Sequence, residues 1–138
     1  MIVVYVAGPF RSMNANGKVN AWGVQKNVMR AMELGLEVFK RGCAAIIPHA
    51  NTMFFQDADG CADDVWLKAD IELLKRSDAI LMTDNWKRSS GARAEHDLAV
   101  ERGIPVLYSV DELDEWLREN RRLRGCCHEE TSVCAYCM

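Results

Sequence analysis

Glu95 lies four residues beyond Gly91 in the stretch Ser89-Ser90-Gly91-Ala92-Arg93-Ala94-Glu95, a small polar turn that opens a helix. Four residues make about one helical turn, so the acid stands on the same side of the helix as the turn and close to what it holds. Free backbone N–H groups at a helix start hold anions. A carboxylate beside a bound anionic group is an arrangement for chemistry as well as binding. Asp70 is the second acid out of place. Trp66 and Leu67 lie one turn before it and Leu73 and Leu74 one turn after, while Lys68, Glu72 and Lys75 lie elsewhere on the helix. An unpaired charge on a core-facing stripe is costly or shifts its pKa, so such a residue caps, pairs or works. Glu95 has the same setting among Gly91, Ala92, Leu98 and Ala99. Two readings stand side by side: the acids meet in one cleft and act together, or each satisfies a buried amide or pairs with Arg11 or Arg93.

The elements that must position these residues are legible from apolar runs and their punctuation. Ile2 to Ala7 reads as a buried strand stopped by Gly8-Pro9. A polar segment with Arg11, Ser12, Asn14, Asn16 and Gly17 follows. Val19 to Arg41 reads as a long helix, with Val24, Val28, Ala31, Met32, Leu36 and Phe39 at helical spacing and Gly42 ending it. Ala44 to Ile47 is the second strand, closed by Pro48. His49 to Gly60 reads as irregular, with Met53, Phe54 and Phe55 placed to cover a cleft. Asp63 to Arg76, Ser90 to Arg102 and Val110 to Arg122 read as helices, and Ala79 to Thr83 and Pro105 to Tyr108 as strands. This alternation predicts an α/β fold of flavodoxin or Rossmann type, a parallel sheet of four to five strands with helices on both faces. Ligands of such sheets bind outside the carboxyl ends of the strands, where strand order reverses. That rule selects Gly8 to Gly17, His49 to Gly60 and Asp84 to Gly91, which hold the notable polar residues.

Length and composition narrow the class. A chain of 138 residues suits one domain with a single core. No apolar run approaches the roughly 20 residues of a membrane helix, and the opening Met1-Ile2-Val3-Val4-Tyr5 lacks a basic leader, so a cytoplasmic protein without a membrane partner is expected. The formal charge of −3 argues against a nucleic-acid partner and favours a small ligand.

Tyr5-Val6-Ala7-Gly8-Pro9-Phe10-Arg11, then Asp70, then Ser89-x-Gly91-x-x-x-Glu95, resemble the nucleoside 2-deoxyribosyltransferase superfamily. The resemblance is closest to its 2′-deoxynucleoside 5′-phosphate N-hydrolase branch and to related small phage and bacterial proteins, and it spans Tyr5 to Tyr108. It implies a flavodoxin-like domain over residues 1–124 and assembly into homodimers or larger oligomers. The implied activity is hydrolysis of the N-glycosidic bond of a (2′-deoxy)nucleoside 5′-monophosphate, with sugar transfer between bases, or non-catalytic nucleotide sensing, as alternatives. The implied roles are Glu95 as nucleophile toward C1′, Asp70 as proton donor to the leaving base and Tyr5 as the residue orienting Glu95. No cofactor is implied for catalysis. Ser89 and Gly91 match positions that line the 5′-phosphate, and Gly8 and Arg11 match the first-loop counterparts.

Each of these also has a plainer reading: Tyr5 as a strand aromatic, Ser89 as an N-cap and Arg11 as a solvated charge. Trp86 and Asp84 lie past the third strand at the mouth of the site, where Trp86 could stack on a base or pack against the chain, and Asp84 could contact sugar or base. His49 could line the base pocket. His96 points about 100° away from Glu95 and is read as structural. Residues 125–138 form a separate tail in which Cys126, Cys127, His128, Cys134 and Cys137 are candidate ligands of a structural zinc or free thiols. Cys43 and Cys61 are read as packing residues.

Overall fold

The computed structural model describes residues 1–55, 58 and 60–123. The tail with Cys126, Cys127, His128, Cys134 and Cys137 lies outside the described residues. Among those described, four strands form one parallel sheet in the order β2-β1-β3-β4, with β1 Val3–Ala7, β2 Ala44–Ile46, β3 Ala79–Met82 and β4 Val106–Leu107. Residues 4 to 7 of β1 and all of β3 are buried, because helices cover both faces and leave no side for polar alternation. On one face Val4, Ala79 and Leu81 pack with Val38 of helix α1 (Ala21–Lys40) and with Leu113 and Leu117 of the C-terminal helix Val110–Leu123. On the other, Tyr5, Ala7, Ile80 and Met82 pack with Leu74 of α3 (Asp63–Lys75) and Ala99 of α4 (Ser90–Glu101). The expected α/β architecture is therefore present, and the reversal of strand order falls between β1 and β3. No helix of the described residues is long and apolar enough to cross a membrane.

One local expectation is corrected. The stretch after β2 is not wholly irregular: Pro48–Thr52 forms a short helix, α2, for which Pro48 supplies the favoured first residue. Helix α1 buries only part of its apolar row at helical spacing. Gly23, Val28, Ala31, Gly35 and Val38 are buried, while Met32, Leu36 and Phe39 are exposed. The reason is distance. A Cβ on Gly23 would lie 2.1 Å from Ser12 Oγ, and one on Gly35 would lie 2.1 Å from Ile47 Cδ1. The helix comes so close to Ser12 and to Ile47 that no side chain fits at positions 23 and 35.

The C-terminal helix Val110–Leu123 is α5. It buries Leu113 and Leu117 against the sheet, while Asp111, Glu112, Glu115, Arg118 and Glu119 are exposed.

Candidate active site

The inward period of β1 places Tyr5 and Ala7 toward α3 and α4, with the Tyr5 ring wholly buried. A buried phenol needs a partner. Its hydroxyl donates to Glu95 Oε1 at 2.7 Å, across 90 residues of sequence. Glu95 is raised by burial to about 7, with the nearby Asp70 charge adding to the rise and the Tyr5 hydrogen bond opposing it. Asp70 is raised by burial to about 6. Burial, with the charges of Glu95 and Asp70 beside it, drives the Tyr5 phenol far above its ordinary value, so it stays a donor. Asp70 Oδ1 is buried and has no hydrogen-bond partner among the described residues.

The plainer reading of the two acids meets different neighbours. Arg11 forms an exposed ion pair with Asp63, and Arg93 donates to the Lys87 carbonyl at 2.7 Å. Neither guanidinium is recorded on Asp70 or Glu95.

Ser89 caps α4, its Oγ accepting from Ala92 N–H at 3.1 Å. The cap leaves the Ser89 O–H proton free to donate outward. Gly91 stands in the first turn with open space before it: a Cβ there would meet only Ser89 Oγ, at 3.7 Å. Packing within the chain therefore does not demand glycine at 91. Gly8 is the opposite case. A Cβ at this position would lie 2.3 Å from Thr83 Oγ1 and 2.5 Å from its Cγ2, so the ends of β1 and β3 touch only because residue 8 has no side chain.

The remaining expected residues are placed as follows. His49 is buried on α2, its Nε2 lying 2.9 Å from the Gly8 carbonyl and 3.0 Å from that of Pro9, so Nε2 carries the proton and fastens the loop after β1. Burial keeps it neutral, and its Nδ1 has no partner among the described residues. Trp86 stacks on His96, with centroids 4.3 Å apart and planes 18° from parallel, and lies against Tyr108. His96 Nε2 in turn meets the Tyr108 hydroxyl at 2.8 Å, the structural part expected of it. Asp84 leans away from the acids toward α1, 3.5 Å from Arg30 Nε, on the opposite face of the sheet. Of the residues expected over the cleft, Phe55 stacks on Trp66 and Phe54 is exposed.

Residues 2–109 match the family model described as "Domain of unknown function (DUF7768)". The chain belongs to this family. No curated protein and no solved structure matches the sequence. The matched span ends just past β4 and takes in Tyr5, Gly8, Asp70, Gly91 and Glu95, so the whole acid pocket lies within the DUF7768 domain.

Two contributors to this site escape sequence reading. Asn27, inside α1, donates to the carbonyls of Phe10 and Arg11 at 3.2 and 3.3 Å and ties the first loop to the helix. Thr83, buried at the end of β3, abuts Gly8 and donates to Asn85 Oδ1 at 2.9 Å. A polar residue closing an apolar run is a faint signal for Thr83; Asn27 offers none, since its partners are backbone atoms.

Proposed function

We propose that this chain hydrolyses the N-glycosidic bond of a (2′-deoxy)nucleoside 5′-monophosphate, releasing free base and sugar phosphate. The observation that carries this reading is the acid pocket itself: one carboxylate held by a buried tyrosine, and beside it a second whose buried oxygen nothing among the described residues serves. The resemblance of the three motifs to deoxyribosyltransferases supplies the substrate class. In the proposed step the Glu95 carboxylate bonds to C1′ as the C1′–N bond breaks, and the electron pair leaves with the base. Asp70 gives its proton to the departing ring nitrogen. Water then attacks C1′, Asp70 takes the water's proton, and Glu95 is released as carboxylate.

The environments suit those roles. The Asp70 charge reaches Glu95, so the two acids titrate as a pair. Taken singly, Glu95 has the higher proton affinity, at about 7 against about 6, because it is the more deeply buried. For the pair, the donor decides. Tyr5 offers its O–H to Glu95, which favours the charge there and leaves the proton to Asp70. The phosphate would lie at the start of α4, on the Ser89 hydroxyl and the open backbone at Gly91, one turn of about 5.4 Å from Glu95. Arg11 would exchange Asp63 for the phosphate. Gly8 and His49 set the loop that faces it.

Chromatography of a nucleotide panel incubated with the full chain tests the proposal. Free base with sugar phosphate is the expected product. Sugar exchange that needs an added base would make the chain a transferase. Tight binding with no base released from any nucleotide, unchanged in Glu95→Gln, would make it a sensor and overturn the proposal.

A further inference from the structure

Helix α1 carries a second apolar stripe, on the side turned away from its own sheet. Trp22, Met29, Met32, Leu36 and Phe39 are each between 38% and 65% exposed, large side chains with no cover among the described residues. Together with Gln25 they fall at positions 22, 25, 29, 32, 36 and 39, the 3-4-3-4 spacing with which one helix packs along another. Single exposed apolar residues need no explanation; a continuous row along a 20-residue helix does.

We infer that this stripe is a self-association surface on which α1 of a second copy of the chain packs antiparallel. The register follows from the residues. A two-fold axis between positions 29 and 32 brings Met29 of each copy onto Met32 of the other and sets Trp22 against Phe39 and Gln25 against Leu36. Each match in that register is reciprocal, as a two-fold interface requires. The same register brings Lys26, on the flank of the stripe, to within two residues, about 3 Å along the axis, of level with Glu33 on the same flank of the other copy, and the reverse pair forms by symmetry. Both side chains are exposed, and neither enters an ion pair among the described residues, although Glu37, Lys40, Arg41 and Arg30 on the same helix segment all do. A parallel pairing would instead set this flank against the opposite flank of the partner's stripe, which holds Ala21, Val28 and Gly35, and would leave both charges unpaired. Trp and Met are also side chains enriched at protein interfaces, whereas a merely solvated helix would carry charge here. The assembly does not depend on the chemistry proposed for the acid pocket.

Sedimentation velocity of the full chain across the micromolar range tests this. The wild-type chain is expected to pass from monomer to dimer with rising concentration. Leu36→Glu, at an exposed position, is expected to weaken the dimer by about 100-fold while far-UV circular dichroism stays native. Lys26→Glu and Glu33→Lys are each expected to weaken it by about 10-fold, and the double swap to restore it. A dimer that survives Leu36→Glu, or a double swap as weak as the single ones, overturns the inference. So does a wild-type chain that stays monomeric, whatever else is found on the stripe, lipid vesicles included.

Discussion

The two mouths at the carboxyl end of the sheet treat charge in opposite ways. On the α3–α4 face, Glu95 and Asp70 are partly buried and raised by that burial, and the buried Tyr5 hydroxyl is the group that reaches Glu95. On the α1–α5 face, a groove of about 440 Å³ is lined by Arg30, Glu33, Glu37 and Asp84, charges that stay near water; Asp84 pairs with Arg30, and Glu37 with Lys40 and Arg41. Glu37 is lowered there by its hydrogen bonds from Lys40 and Arg41. The open groove is thus electrostatically ordinary, while the acids line neither it nor the groove of about 550 Å³ by Arg41 and Arg121. Cavity size and chemical tension separate in this fold, and strained ionisation is the better guide to work.

The largest expected effect that would sharpen this contrast is at Glu95. Glu95→Gln should lower base release by about 10³-fold or more, measured by single-turnover chromatography. The same variant should raise thermal stability above pH 7, by on the order of 3 kcal/mol, because it removes a buried charge. Loss of activity without that gain would break the claim that burial distinguishes this mouth. Asp70→Asn should cost about 10²- to 10³-fold in rate, with the smallest loss on substrates whose base leaves without protonation. An equal loss on all bases would assign Asp70 a role other than proton donor.

The wild-type chain should show the burial as a pH effect. Glu95 binds its proton more tightly in the folded state than its ordinary 4.5, up to about 7. Between those values the native state keeps protons that the unfolded chain has released, so stability should fall as pH rises through the window and level off above it. Urea midpoints at closely spaced pH values read this directly, and the slope should shrink in Glu95→Gln. A smaller effect is expected of Gly91→Ala. Helix propensity should stabilise the fold by about 0.5–1 kcal/mol, since the new methyl meets only an ordinary contact, while affinity for inorganic phosphate falls. At the other mouth, Arg30→Gln should change stability by less than about 0.5 kcal/mol and leave the rate alone. A large effect there would erase the distinction between the two faces.

Much of this was legible in the chain itself, for identifiable reasons. Gly8-Pro9, Gly42 and Pro48 punctuate the apolar runs, so the alternating strands and helices could be read with boundaries within a few residues. Glu95 and Asp70 stood out because a carboxylate on an apolar stripe violates the pattern around it. Helix α1 misled because it is apolar on two sides. The spacing of its large residues does not choose between those sides, and the tight approach to Ser12 and Ile47 gave the core side to Gly23 and Gly35. Asp84 and Trp86 were placed at the right strand end, but a strand end has two sides, and sequence position does not choose between them. Trp86 found His96 and Tyr108, and Asp84 found Arg30.

The sequence by itself determined the order of elements, the two anomalous acids and the helix start that could hold an anion, because these depend on local periodicity and turn chemistry. Only the tertiary structure decided that Tyr5 reaches Glu95, that Asp70 keeps a buried oxygen with no partner among the described residues, and which face of α1 meets the sheet. Those outcomes depend on strand order and on how closely two backbones can approach, quantities set between segments tens of residues apart.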